Sequence, residues 1–138
     1  MPVPPAARED DATVELHARL RAWARGIDTL EAATELLIRA GLARPVHPWV
    51  CRAPAAGGGP EDAWIDFAAV SAYVGPMSPG ERRVLLFAAS LSDVDAAPSV
   101  RLGDLARVRP PRLALLLAAL AHAGGRPGAW EERARGRG

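Results

Sequence analysis

Apolar residues recur at helical intervals over the first part of the chain. Leu16, Leu20, Trp23 and Ile27 form one stripe along and just past the segment Asp11 to Arg25, the period of a helix that buries a single face. Gly26 interrupts the run. Asp28-Thr29-Leu30-Glu31 then has the form of a capping box, in which Asp28 and Glu31 each satisfy an end N–H. Leu30, Ala33, Leu37 and Ile38 carry the second helix to Gly41, a residue suited to a left-handed stop. The pattern predicts two antiparallel helices joined by a tight turn.

The pattern changes at Pro45. The stretch Pro45-Val46-His47-Pro48-Trp49-Val50-Cys51 holds two prolines that forbid helix, and Ala63-Trp64-Ile65 is again extended in character. Between them, residues 52–62 contain a run of three glycines and read as a flexible linker. The prediction is a short β-hairpin over residues 46–51 and 63–66, with Trp49 and Trp64 packed near each other. A two-stranded hairpin is marginal alone, so it should rest on the helices.

From residue 66 the helical period returns. Asp66 can cap a short helix bearing Phe67, Val70, Tyr73 and Val74, closed by Gly75-Pro76. Ser78 as N-cap, Pro79 at the first helical position and Glu81 two residues later make a second capping box, continued by Val84, Leu85, Ala88 and Leu91. Residues 93–99 read as a loop, Val100–Leu102 as a short strand and 103–108 as a short helix. Pro110-Pro111 opens a last helix that runs to Gly124-Gly125. That helix is apolar nearly all round and is expected at the centre of the core. Residues 1–10 read as a disordered arm and the Gly- and Arg-rich residues 126–138 as a disordered tail. The fold class is therefore mainly α: one compact domain of about five helices over residues 11–125, with the hairpin as an accessory.

Composition narrows the functional classes. Hydrophobic residues make up 49% of the 138 positions but aromatics only 5%, so the core should be Leu, Val and Ala around a few tryptophan anchors. The net charge of +1 gives no global drive toward nucleic acid or an anionic membrane. Cys51 is the single cysteine, which excludes an internal disulfide and fits a reducing compartment. The first residues lack the pattern of a secretory signal, and the longest apolar run, Leu113 to Ala121, is far short of the ~20 residues of a membrane span. A soluble, cytoplasmic protein is expected.

Few residues suggest chemistry. Ser78-Pro79-Gly80-Glu81 resembles the signature loop of an ABC-type ATPase, yet the chain has no lysine and no Walker A loop; capping alone explains the turn, and Pro79 removes a donor that a phosphate would want. His47 and Cys51 lack the further ligands of a zinc site, and nothing marks a nucleophile elbow. No catalytic residue, metal or cofactor is therefore assigned. A non-catalytic protein-interaction or structural module is the favoured reading, binding a protein partner or a second copy through the Leu-rich last helix. Trp130 is the candidate anchor for such contact, since it lies in the polar tail. The alternative is a DNA-binding unit of winged-helix or helix-turn-helix type over residues 78–125, with Arg101, Arg107, Arg109 and Arg112 on phosphates. Against it, the last helix offers only His122 for base edges, and no wing follows Gly125.

Several segments together resemble a group of small uncharacterised actinobacterial proteins. They are Leu20-Arg21-Ala22-Trp23-Ala24-Arg25-Gly26, Glu31-Ala32-Ala33-Thr34-Glu35-Leu36-Leu37-Ile38-Arg39, Trp64-Ile65-Asp66-Phe67, Gly80-Glu81-Arg82-Arg83-Val84-Leu85 and Leu117-Ala118-Ala119-Leu120-Ala121-His122-Ala123-Gly124. Members of that group show Ser-Gly-Gly-Glu where this chain has Ser78-Pro79-Gly80-Glu81. The resemblance implies an actinobacterial source and one domain over most of residues 14–125; it implies no mechanism.

Overall fold

A computed structural model describes residues 5–135, with side chains from 11 to 132. The order is α1 (Pro5–Ala24), α2 (Asp28–Arg39), β1 (Val50–Ala53), β2 (Asp62–Ile65), a 3-10 helix (Phe67–Ala72), α3 (Pro79–Leu91), α4 (Leu102–Leu105), α5 (Pro110–Ala123) and α6 (Ala129–Arg135). The fold is mainly α, with one antiparallel hairpin, as the periodicity predicts.

The helix ends follow local chemistry, with one shift. Ser78 caps α3 by accepting the Glu81 N–H at 3.3 Å, and its hydroxyl donates to the Glu81 carboxylate at 2.8 Å. At α2 the cap is Ile27, not Asp28. Glu31 still reaches back, but it accepts from the Gly26 N–H at 2.7 Å. Gly26 has a φ of 98°, which turns its N–H toward the helix. Gly41 (φ 76°) and Gly125 (φ 100°) end α2 and α5 in the same way. In each case the next N–H (Leu42 to Leu37 O, Arg126 to Ala121 O) closes a Schellman motif.

The hairpin pairs Val50 with Ile65 and Ala53 with Asp62. Its first strand therefore lies later than 46–51 and takes in the start of the 52–62 linker. Residues 45–49 form a turn instead: the His47 N–H donates to Arg44 O, and the Arg44 N–H to His47 Nδ1, both at 3.0 Å. Trp49 and Trp64 do not pair. Trp49 is buried, donates to Leu42 O at 2.7 Å and stacks on His47 at 4.7 Å. Alternation on β2 sends Ala63 and Ile65 inward and leaves Trp64 on the outer face.

The core centres on α2, which packs on α1, α3 and α5 and buries Leu30, Ala32, Ala33, Thr34, Leu36 and Leu37. α5 packs on α2, α3 and α6, as expected of a central helix, but it is not enclosed all round: Leu117 is 56% and Leu120 49% exposed. It meets its neighbours through Leu116, Ala118, Ala119 and His122, and leaves Leu117 and Leu120 on the open side. On α1 the buried stripe is Leu16, Leu20 and Ala24, whereas Trp23 and, beyond the helix end, Ile27 are exposed; four-residue steps drift about 40° each, so the buried stripe slants round the helix and away from Trp23.

Both ends of the chain depart from expectation. Residues 1–4 and 136–138 lie outside the described residues, but α1 begins at Pro5, a residue suited to a first helical position. The supposed disordered tail carries α6, because the stop at Gly125 turns the chain back so that Trp130 lands on α5 and α2.

Thr34 is buried, and its Oγ1 has no hydrogen-bond partner among the described residues. An orphaned buried hydroxyl costs about 1–3 kcal/mol, and valine keeps the branched shape. Thr34→Val is therefore expected to raise stability by about 1 kcal/mol, seen as a higher urea midpoint at unchanged m-value.

Candidate functional site

The starts of α3 and α5 converge on a concave pocket of about 340 Å³. Its wall holds Gly80 and Arg83 from α3, Arg107 from the loop after α4, and Arg109 and Arg112 from the start of α5; it contains no carboxylate. None of these arginines forms an ion pair among the described residues, whereas Arg19, Arg21, Arg39, Arg52 and Arg126 all do. Arg82, next to Arg83, is spent on structure: it donates to the carbonyls of Val74, Gly75 and Met77 at 3.1–3.2 Å.

Gly80 lies against the guanidinium end of Arg112, which reaches across the start of α3. Prolines 79, 110 and 111 occupy the first helical positions of α3 and α5 and remove amide donors there. The pocket's donors are therefore mostly guanidinium groups, which bind carboxylate or phosphate oxygens in pairs.

Of the four arginines singled out from the sequence, Arg107, Arg109 and Arg112 are brought together, and Arg101 is exposed but does not line the pocket. Arg83 was missed: in sequence it is half of an Arg-Arg pair on a helix, and only the fold separates its role from that of Arg82. The strand expected at Val100–Leu102 is not formed; α4 starts at Leu102 and makes a single turn. The exposed side chains in the body of α5 are Leu117 and Leu120, which offer no hydrogen bonds to base edges. Those two leucines also supply only a small part of the ~800 Å² per partner that a stable dimer buries.

Trp130 does not serve as an exposed anchor. It is buried at 3% exposure, donates from Nε1 to His122 Nδ1 at 3.0 Å, and lies under the Arg39 guanidinium, 4.8 Å from the ring centroid. An indole N–H can only donate, so Nδ1 presents its lone pair and Nε2 carries the proton, 3.3 Å from Glu31 Oε1. Glu35 continues the network, bound by Arg21 at 2.8 and 3.0 Å and by Arg39 at 2.8 Å.

A cleft of about 190 Å³ opens beside this network, lined by Arg21, Arg25, Glu31, Glu35 and His122. Its His–Glu pair looks like acid–base machinery, but both imidazole nitrogens are already engaged. The Gly26 N–H, opposed by burial and helped by His122, holds the Glu31 carboxyl below the usual glutamate range. At Glu35 burial pushes the carboxyl up, but the bonds from Arg21 and Arg39 outweigh it and the net shift is downward. Both are fixed carboxylates, and the network is a clamp between α1, α2, α5 and α6. The Glu31–Glu35–Arg39 ladder at four-residue spacing was the available sequence signal for it.

Burial pushes the Cys51 thiol up, away from the reactive thiolate. Burial likewise lowers His17 and His47. Among the described residues no three His, Cys, Asp or Glu side chains converge as a metal site needs, and no helix is long and apolar enough to cross a membrane. No protein family, curated protein or solved structure matches this chain.

Proposed function

We propose that the chain is a non-catalytic interaction module that captures an anionic group of a partner in the arginine pocket at the starts of α3 and α5. One observation carries the reading: Arg83, Arg107, Arg109 and Arg112 gather around one cavity without a carboxylate in its wall. Uncompensated like charges are costly to assemble, and an anionic ligand offsets that cost. Arginine stays protonated at neutral pH, so the pocket supplies no general base, which supports binding over catalysis. The lone thiol fits work in a reducing cytoplasm.

Inorganic pyrophosphate at low ionic strength is expected to raise the thermal midpoint of the wild-type protein by mass action. Arg107→Gln combined with Arg112→Gln should remove the shift. A wild-type midpoint that does not move with pyrophosphate defeats the reading.

Duplex DNA is the second reading, favoured by the exposure of Arg101, Arg107, Arg109 and Arg112 along one short segment. The leucines on α5 support only sequence-independent contact. Retention on DNA would then fall with log salt at a slope no steeper than about −4, four phosphates neutralised.

A further inference from the structure

Beside the arginine pocket lies a second cavity of about 190 Å³, and the two share Arg83 and Arg107 as a common wall. Its other sides are different in kind: Leu86, Phe87, Val100 and Leu105 provide apolar surface, and Asp104 stands at the edge. Phe87 is buried, while Leu86, Val100 and Leu105 are half-buried. Cavities of about 150 Å³ lined by such side chains admit a benzene ring, so this one has room for a single apolar side chain.

We infer that the partner is a protein segment in extended conformation carrying a phosphorylated serine or threonine next to a leucine-like side chain, the phosphate in the arginine pocket and the apolar group against Phe87, Val100 and Leu105. The inference rests on the anion-capture reading and adds to it the identity of the ligand. Charge complementarity favours phosphate, a near-dianion with three acceptor oxygens at neutral pH, over a single carboxylate opposite four guanidiniums. The apolar cavity favours a peptide, whose leucine branch is wholly apolar, over a nucleic acid, whose base would carry polar ring edges against Leu86, Val100 and Leu105. Asp104 sets the direction: it repels an anion from the apolar cavity and leaves the arginine side as the place for the phosphate.

The test is a leucine scan by fluorescence polarisation. Labelled peptides carry one phosphoserine in an alanine–glycine background, with a single leucine at each of the two positions before and after it. One register is expected to bind about tenfold or more tighter than the all-alanine phosphopeptide, the worth of burying a leucine. Its glutamate and unphosphorylated counterparts should bind more weakly. Val100→Phe, checked for an intact thermal transition, should fill the cavity and abolish the leucine preference while leaving the pyrophosphate response. A flat scan with pyrophosphate binding intact overturns this inference and leaves the anion-capture reading standing. Loss of the pyrophosphate response in wild type overturns both. A single-stranded oligonucleotide that outcompetes the best phosphopeptide overturns the choice of a protein partner, and equal binding of glutamate and phosphoserine peptides overturns the choice of phosphate.

Discussion

Trp130→Ala is expected to cost about 3–5 kcal/mol of stability, the range for deleting a buried tryptophan. Three losses coincide. The indole leaves a cavity between α2, α5 and α6, its N–H no longer satisfies His122 Nδ1, and Arg39 loses the ring beneath its guanidinium. α6 is only seven residues long, too short to persist as an isolated helix, so it should detach. Urea unfolding reads the energy, and protease cleavage after Arg126 in the folded state reads the detachment. Trp130→Phe separates the contributions: it keeps most of the bulk but orphans His122 Nδ1, an expected loss of about 1–3 kcal/mol. Trp23→Ala is the control, since Trp23 is 38% exposed and its loss should be smaller. Equal effects at the two positions would rule out the clamp.

Charge reversal in the arginine pocket should move stability and binding in opposite directions. Arg107→Glu with Arg112→Glu places two carboxylates opposite Arg83 and Arg109, so the unliganded protein should melt at a higher temperature than wild type. Binding of an anion should fall by about 100-fold or more, because like charge juxtaposed with a ligand costs several kcal/mol. The paired outcome is diagnostic. A cluster kept for structure would lose stability on reversal, whereas one kept for a ligand gains it. Thermal melts with and without pyrophosphate measure both signs in one series, and a fall in the unliganded midpoint would count against a binding role.

The extent to which the sequence disclosed this molecule depended on the range of each interaction. Ser78, Gly41 and Gly125 act within five residues, and their caps and stops were legible from neighbours alone. Trp130 acts across the fold, beneath Arg39 of α2. Nothing near Trp130 in sequence shows that His122 and Arg39 await it, so a Gly- and Arg-rich tail read as disorder. The arginine site was half legible. Arg107, Arg109 and Arg112 cluster in sequence, but Arg83 joins them only through the packing of α3 against α5, and Arg101, on the other side of α4 in the chain, does not line the pocket.

The three prolines at the starts of α3 and α5 separate what folds from what binds. In pockets where backbone amides hold an anion, specificity is welded to the helix geometry and cannot change without moving the scaffold. Here Pro79, Pro110 and Pro111 withhold three of those amides, and side chains supply most of the grip. Ligand preference can therefore be rewritten one residue at a time, by shortening an arginine or reshaping the wall at Val100, without moving a helix. That makes this corner of the molecule a natural place to install a chosen specificity.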